Sequence, residues 1–292
     1  TIDLLLPNGT SEEIFALMEK RIRDYEKRYS ANDTSSELGE VNRNAGKNSV
    51  QVNKELYDLI KLGKKHSLEK GSHLNIAIGP LVQTWRIGFK DAKVPDEKEI
   101  KEVMALTDVR QIKLDDLTHS VFLLQKGMKI DLGSLAKGYI ADLLVAELKA
   151  LQVPFGLINL GGNILTFGES VHEDHLWRIG IQDPLQSRNH LKGLIQVKNK
   201  SVVTSGIYER TLTVGQHVYH HIFDPLTGYP VETPMASLTI VSDTSVAGEI
   251  WTTRLFGAEN VIETVNQVSH IECLVILKNG QEFFSKNMPR YL

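Results

Sequence analysis

Apolar residues recur three and four positions apart in several stretches of the chain, and this spacing predicts amphipathic helices. Thr10 and Glu13 can form a capping box at the start of the first helix. Its apolar positions are Ile14, Leu17, Met18, Ile22, Tyr25 and Tyr29. Other stretches that predict helices lie at residues 54–70, 91–106, 135–151 and 247–256.

Short apolar runs bounded by turn residues predict strands. Two of them lie at residues 111–114 and 120–124. Another pair is joined by Gly161-Gly162, and Asn279-Gly280 predicts a hairpin near the C-terminus. The last third of the chain therefore alternates mainly between strands and turns.

The order of these elements predicts the fold class. Helices and strands are mixed without a steady βαβ alternation, which favours an α+β fold. Residues 30–46 are polar and rich in turn formers, so we expect a loop there. No stretch rich in Pro, Gly and Ser separates two halves. We therefore expect one domain over residues 1–292, with mixed, mainly antiparallel sheets and packed helices.

The amino-acid composition limits the classes of protein and of binding partner that we expect. The chain has 292 residues, 41% of them hydrophobic and 24% charged, which is typical of a soluble globular protein. The net charge of −3 gives no reason to expect nucleic acid as a partner. No apolar run approaches the roughly 20 residues of a membrane helix. Cys273 lies in the apolar run IECLVIL and is expected to be a buried thiol.

The chain begins at Thr1 without a methionine, and the following residues already resemble a strand. We therefore expect an upstream segment, such as a signal peptide or lipid anchor. An extracytoplasmic, membrane-anchored location follows from that expectation, with a cytoplasmic location as the alternative.

The stretch KIDLGSLAKGYIADLL carries the first candidate chemistry. Asp131 ends an apolar run that predicts a strand, Gly133 permits a tight turn, and a helix is predicted to start near Ser134. Unpaired N–H groups at a helix N-terminus beside Lys137 can bind phosphate. The alternative is a structural turn in which Asp131 caps the helix and Lys137 is solvated.

The stretch AGEIWTTRLFG places Glu249 and Thr253 four residues apart on a predicted helix. That spacing puts both side-chain oxygens on one face. A carboxylate and a hydroxyl are hard ligands that suit Mg²⁺. An intrahelical hydrogen bond between the two side chains is the alternative.

Three hydroxyl or small residues, Thr204, Ser205 and Gly206, follow an apolar strand in VVTSGIYER. Hydroxyl groups at a strand end can bind phosphate or cap a turn. The segment HEDH at residues 172–175 contains metal-ligand side chains but lies in a polar stretch, where we expect a solvated loop.

Two adjacent histidines end a strand-like run in VYHHIFDPLTGYPV. Neighbouring strand residues point to opposite faces, so His220 and His221 cannot both reach one site. Histidine is a competent general base near neutral pH. Taken alone, the stretch favours two structural histidines over a catalytic one.

The order of these motifs is more specific than any one of them. The segments SSEL, GSHLNIAIGPLVQTW, DLGSLAKGY, NLGGNI, TSGIYER, HHIFDPLTGYPV and GEIWTTRLF together resemble the ApbE family of FAD:protein FMN transferases over nearly the whole chain. The resemblance implies a Mg²⁺-dependent enzyme that splits FAD, transfers FMN to a Ser or Thr hydroxyl of an acceptor protein and releases AMP. Acceptors in the family typically belong to membrane or cell-surface electron-transfer systems.

The resemblance also implies roles for individual residues. The metal ligands fall on Glu249, Thr253 and the backbone carbonyl of Ser134, and the catalytic base falls on His221. Contacts to the flavin nucleotide fall on Asn32, His73, Leu74, Asn75, Asp131, Lys137, Thr204, Ser205, Gly206 and Phe223. The chain departs from the family pattern at four positions: Glu249 where Asp is usual, Asn75 where Asp is frequent, Asn32 where an aromatic residue is frequent, and Ile207 where a polar residue is common.

Two other functions remain open at this point. One is an FAD pyrophosphatase of the same fold, in which water replaces the acceptor hydroxyl. The other is a flavin-binding protein without catalysis.

Overall fold

The computed structural model describes residues 2–187 and 190–292. Its eight helices in these ranges are α1 (Glu12–Tyr29), α2 (Glu37–Arg43), α3 (Lys54–Ser67), α4 (Gly79–Trp85), α5 (Glu97–Met104), α6 (Ala136–Ala150), α7 (Ser245–Leu255) and α8 (Val261–Asn266). Their strands are β1 (Ile2–Leu5), β2 (Val50–Gln51), β3 (Ile112–Asp115), β4 (Ser120–Leu123), β5 (Gly156–Leu160), β6 (Asn163–Phe167), β7 (Trp177–Gln182), β8 (Leu191–Val197), β9 (Ser201–Gly206), β10 (Thr211–Val214), β11 (His217–His220), β12 (Met235–Ser242), β13 (Ile271–Leu277) and β14 (Glu282–Phe284).

The chain forms two compact units, each built from separate segments. The first consists of Thr1–Arg21, Lys137–Gly206 and Glu232–Leu292. The second consists of Ile22–Ala136 and Ile207–Val231. The prediction of one domain over residues 1–292 stays a prediction. No helix in the described ranges has both the length and the apolar character needed to cross a membrane.

The first unit is organised by a seven-stranded sheet in the order β1-β5-β6-β9-β12-β13-β14. All of its strand pairs are antiparallel. Strand β12 pairs with β9 and β13, and all eight of its residues are buried. The prediction of an α+β fold with mainly antiparallel sheets is confirmed.

Both faces of this sheet are covered. The β7–β8 hairpin packs through Ile179 and Ile195 onto one face, where it meets Val202 of β9. On the other face, α7 approaches β9 so closely that a Cβ added to Gly248 would lie 2.5 Å from Cγ2 of Val203. Successive strand residues point to opposite faces, so adjacent valines of β9 contact the hairpin and the helix respectively.

The second unit contains a three-stranded sheet in the order β2-β4-β3, the β10–β11 hairpin and helices α2 to α5. An apolar cluster forms around Trp85 and includes Leu81, Ile100 and Phe223. The indole N–H of Trp85 donates to the carbonyl of Gly228 at 3.0 Å. The turn that follows β11 is thereby tied to α4.

Several elements differ from the sequence-based expectation. Residues 30–46 are not all loop, because they contain α2, whose first turn is capped by the Ser36 hydroxyl accepting from the Gly39 N–H. The hydroxyl of Thr10 donates to the Pro7 carbonyl, away from the expected capping box. Helix α8 was not predicted from the sequence.

Gly138 lets α6 lie against α7, and its replacement gives the first prediction. A Cβ at this position would lie 2.5 Å from the Ser245 carbonyl oxygen and 2.8 Å from Cγ of Glu249. In an open helix Gly→Ala stabilises by up to about 1 kcal/mol. Because backbone atoms must move here, we expect Gly138→Ala to lower the free energy of unfolding by about 1–3 kcal/mol.

Urea denaturation measures this change, and Gly193→Ala is the matched control. A Cβ on Gly193 meets no atom within 4 Å, so its effect should stay within about 0.5 kcal/mol. Equal unfolding free energies for the two variants would contradict the close contact between α6 and α7.

Candidate active site

A buried carboxylate lies at the centre of the candidate site in the first unit. The side chain of Glu249, on α7, is 5% exposed. Its Oε1 accepts hydrogen bonds from Nζ of Lys137 at 2.5 Å and from Nδ2 of Asn163 at 2.8 Å. A buried charge is tolerated when it is paired and hydrogen-bonded, and these two donors meet that need.

Three separate elements bring these groups together. Lys137 lies in the first turn of α6, Asn163 is the first residue of β6, and Glu249 lies on α7. The turn before Asn163 is formed by Gly161 and Gly162, with φ values of 62° and 90°. Two consecutive positive φ values are typical of the tightest hairpin turns, so the glycine pair serves the β5–β6 connection.

The N-terminus of α7 is capped from α6. Oδ1 and Oδ2 of Asp142 accept from the backbone N–H groups of Ser245 at 2.7 Å and Val246 at 2.9 Å. Thr244, the residue at the cap position, makes no side-chain capping bond. Burial raises the pKa of the Asp142 carboxyl to about 6, against the lowering effect of the two N–H groups. Asp142 therefore fixes the start of the helix that carries Glu249.

Sequence reasoning did not single out Asn163 or Asp142. Asn163 is part of the motif NLGGNI, which offered a signal through its glycine pair. Asp142 lies within the quoted stretch KIDLGSLAKGYIADLL, but nothing there marks it, because a carboxylate in mid-helix is ordinary and its partners lie 103 and 104 residues away.

Thr253 lies one turn after Glu249 on α7 and is partly exposed. The predicted alternative, an intrahelical bond between the two side chains, is absent from the described structure, because the carboxylate bonds to Lys137 and Asn163 instead. Oε2 of Glu249 accepts no hydrogen bond from residues 2–187 or 190–292. A carboxylate oxygen and a nearby hydroxyl fit a Mg²⁺ ion chemically.

Conventional metal-binding clusters are not found within residues 2–187 and 190–292. The described ranges contain no group of three or more His, Cys, Asp or Glu side chains that could hold a metal ion. In the HEDH segment, Asp174 pairs with Arg178 at 2.8 Å, and His175 lies near Glu169 at 3.5 Å.

Thr204, Ser205 and Gly206 lie inside β9 as its last three residues, and not beyond the strand as expected. The hydroxyl of Thr204 shares a hydrogen bond of 2.8 Å with that of Thr239 on β12. Strand β6 pairs with β9 only at Val202 and Ser201. The three residues therefore extend beyond the part of β9 that β6 covers.

In the second unit, Asp131 forms a tight turn. Its Oδ1 accepts from the Gly133 N–H at 2.8 Å, and its own N–H donates to the Ile76 carbonyl at 2.9 Å. Burial raises the pKa of the Asp131 carboxyl, while the Gly133 N–H and the charge of Arg210 lower it. The preceding residues are not a strand. They are held by the carboxamide of Asn42, which pairs with the backbone N–H and C=O of Ile130.

Ser134 follows in the same turn, and α6 starts two residues later than the sequence suggested, at Ala136. The segment at residues 73–75 is also well ordered by contacts within its unit. Asn75 donates to the Thr107 carbonyl at 2.9 Å and accepts from the Ala77 N–H at 2.8 Å. Leu74 is buried, whereas His73 is partly exposed.

Asn32 is exposed, and its Oδ1 accepts from Nε2 of Gln83 at 2.9 Å. Phe223 is buried against Trp85, with ring centroids 5.8 Å apart. These two candidate flavin-contact residues therefore differ in accessibility.

The two histidines have different environments, as strand alternation predicts. His220 is buried; its Nε2 bonds to the Val231 carbonyl at 3.0 Å, and its Nδ1 accepts from the Ile222 N–H at 3.3 Å. His221 follows β11 and is partly exposed. Its backbone N–H donates to the Arg210 carbonyl at 3.2 Å. His220 therefore has a structural role, and His221 is the more accessible histidine of the pair.

The model of the ApbE family matches residues 2–275 of the chain. The chain belongs to the ApbE family. It is 41% identical over 260 residues to the FAD:protein FMN transferase of Klebsiella pneumoniae (strain 342), covering 88% of this chain and 80% of that protein. It is 35% identical over 279 residues to the protein of the same name from Treponema pallidum (strain Nichols), covering 91% and 76%.

Solved ApbE structures share the fold. The ApbE protein of Thermotoga maritima MSB8 aligns with a TM-score of 0.90 at 24% identity, covering 99% of this chain and 95% of that chain. The flavin transferase ApbE from Vibrio cholerae aligns with a TM-score of 0.84 at 22% identity, covering 100% and 94%. The family predicted from the ordered motifs is therefore confirmed, and so is the fold.

The cap by Asp142 gives a prediction with a defined pH dependence. Its carboxyl has a pKa of about 6 in the fold against an ordinary value of 3.8. A raised acid pKa stabilises the folded state below the ordinary value, and this contribution is lost as the pH rises through the folded value. The free energy of unfolding of the wild type, relative to Asp142→Asn, should therefore decrease between pH 4.5 and 7.5.

Urea denaturation of both proteins at the two pH values measures this difference. The comparison with the variant cancels the titration of other groups. A difference that grows with pH would contradict the raised pKa of Asp142.

Proposed function

We propose that this ApbE-family chain transfers the FMN half of FAD to a Ser or Thr hydroxyl of an acceptor flavoprotein and releases AMP, with Mg²⁺ bound. The proposal draws on the names of the relatives and on the ordered motifs. The observation that carries it is the buried Glu249 carboxylate, which is paired with Lys137 and has its second oxygen available beside Thr253.

The residues proposed to hold Mg²⁺ in the first unit are Glu249 and Thr253. When bound, the ion would offset the negative charge of the phosphate oxygens during phosphoryl transfer. Lys137 lies in the first turn of α6; its side chain is 44% exposed, and its ammonium group is paired with the Glu249 carboxylate. Its ammonium group is therefore proposed to bind a phosphate oxygen of FAD as well as Glu249.

His221 is the proposed general base. Its imidazole would take the proton of the acceptor hydroxyl as that oxygen forms a bond to the phosphorus of the FMN half. The bond between this phosphorus and the bridging oxygen then breaks, and AMP leaves with that oxygen. Positioning and charge stabilisation supply most of the acceleration in such reactions.

The acceptor is proposed to belong to a membrane or cell-surface electron-transfer system, with this protein outside the cytoplasm. The statement about the acceptor rests on family resemblance.

FAD hydrolysis to FMN and AMP is a second candidate activity, and Asn32 favours it. Asn32 is exposed and bonded to Gln83, so it provides no aromatic ring for the flavin at this position. A flavin held less firmly would leave more readily after attack by water. Release of AMP without an acceptor, at the rate seen with one, would support hydrolysis over transfer.

Replacement of the metal-binding carboxylate tests the proposal. With FAD, Mg²⁺ and an acceptor domain, the wild type should place fluorescent flavin on the acceptor in a denaturing gel. Glu249→Gln should reduce this signal to background, because a neutral amide binds Mg²⁺ poorly. Glu147→Gln, a variant on α6 that removes an ion pair with Arg21 of α1, should keep the signal. Equal transfer by both variants would show that Glu249 is not part of the active site.

The two histidines provide a matched pair of variants. His221→Ala should lower the rate of transfer by about 10²–10⁴, the usual contribution of a general base, without loss of stability. His220→Ala should instead cost about 1–3 kcal/mol of stability, since it leaves a buried carbonyl unbonded. Single-turnover rates and urea denaturation of both variants measure these effects. A larger loss of rate in His220→Ala would contradict the assignment.

A further inference from the structure

Asn163 is a buried polar residue that contacts the proposed metal ligand without being one. Asn163 is 1% exposed, and its Nδ2 donates to Oε1 of Glu249 at 2.8 Å. We propose that Asn163 is a positioning residue, which keeps Oε1 of Glu249 occupied and thereby leaves Oε2 for the divalent cation. This inference rests on the proposed function, because it assumes that Glu249 binds the cation.

The orientation of the Asn163 carboxamide follows from its neighbours. An ionised carboxylate only accepts hydrogen bonds, so the group facing Glu249 must be the NH₂ of Asn163. The opposite side faces Ser245, whose hydroxyl donates to Oδ1 of Asn163. Reversing the carboxamide would place its oxygen against the carboxylate.

A further hydroxyl extends this network. Ser201 Oγ lies 3.1 Å from Ser245 Oγ and 2.8 Å from the carbonyl oxygen of Ile164. Ser201 and Ser245 are both fully enclosed, with 0% exposure. A polar network of buried groups with satisfied hydrogen bonds holds its members in one arrangement.

Lys137 cannot replace Asn163 in this role. Its side chain is 44% exposed, and a lysine stem has several rotatable bonds. In the proposed reaction its ammonium group also binds substrate phosphate. Asn163 is therefore the enclosed partner of Glu249, and Lys137 is the partly exposed one. Residues that hydrogen-bond to metal ligands commonly contribute 10- to 100-fold to metal affinity.

Binding of Mn²⁺ to the full chain, without FAD or acceptor, tests the inference. Asn163→Leu removes the donor at similar volume, and we expect the Mn²⁺ dissociation constant, measured by electron paramagnetic resonance, to rise about 10- to 100-fold. The control is Thr166→Val, on the same strand. Thr166 is equally buried, at 1% exposure, and donates to the Lys200 carbonyl at 2.9 Å. This variant should bind Mn²⁺ as the wild type does.

Ser245→Ala provides a second test of the positioning role if Asn163→Leu does not fold. It keeps Asn163 but removes the hydroxyl that orients the carboxamide, so Mn²⁺ binding should weaken by a smaller factor, about three- to tenfold. In both variants the Mn²⁺ concentration needed for half-maximal FAD cleavage should rise, with the rate at saturating Mn²⁺ less affected.

The outcomes separate the inference from the proposed function. Wild-type affinity for Mn²⁺ in Asn163→Leu or in Ser245→Ala would overturn the positioning role and leave the transferase proposal intact. Equal weakening in Thr166→Val would also overturn it, since any buried polar deletion would then act alike. Absence of Mn²⁺ binding by the wild type would contradict the metal site itself and the inference with it.

Discussion

The burial of the Glu249 carboxylate is the constraint on which the candidate site depends. A charged group this enclosed destabilises the fold strongly unless donors compensate it. An ammonium group and a carboxamide, from Lys137 and Asn163, supply that compensation on a single oxygen. The second oxygen is thus available to a cation, which connects the requirement for stability with the proposed chemistry.

The surrounding architecture keeps these donors within reach of the carboxylate. Gly138 allows α6 to approach the first turn of α7, and Asp142 caps that turn from the same helix. Gly248 brings α7 equally close to β9. The site is therefore a product of close packing between two helices and a sheet, in which even one added methyl group meets backbone atoms or a buried side chain.

Local signals predicted the local elements. A helix lies within residues 91–106 and the turn at Asn279-Gly280 joins β13 and β14, both as expected. Helix α2 was missed because its seven residues are too few for a clear apolar period, and its cap at Ser36 lies in a polar stretch. The apolar run before Asp131 looked like a strand, but the backbone of Ile130 bonds to the Asn42 side chain, a contact 88 residues away that no local pattern reveals.

At the candidate site, too, residues in local motifs were predicted from the sequence, whereas residues that act through long-range contacts were not. Glu249 and Lys137 were predicted from their motifs, and the structure joins them. Asn163 and Asp142 act through partners more than 80 residues away, so only the fold identifies them. The roles given to Ser134, Asp131 and His221 stay predictions, since they concern ligands and substrates.

Anomalous diffraction from crystals containing Mn²⁺ is the measurement that tests the central claim most directly. We predict a manganese peak bound to Oε2 of Glu249 and the hydroxyl of Thr253, with Asn163 still bonded to Oε1. A fully occupied manganese peak elsewhere, with Glu249 bound only to Lys137 and Asn163, would contradict it.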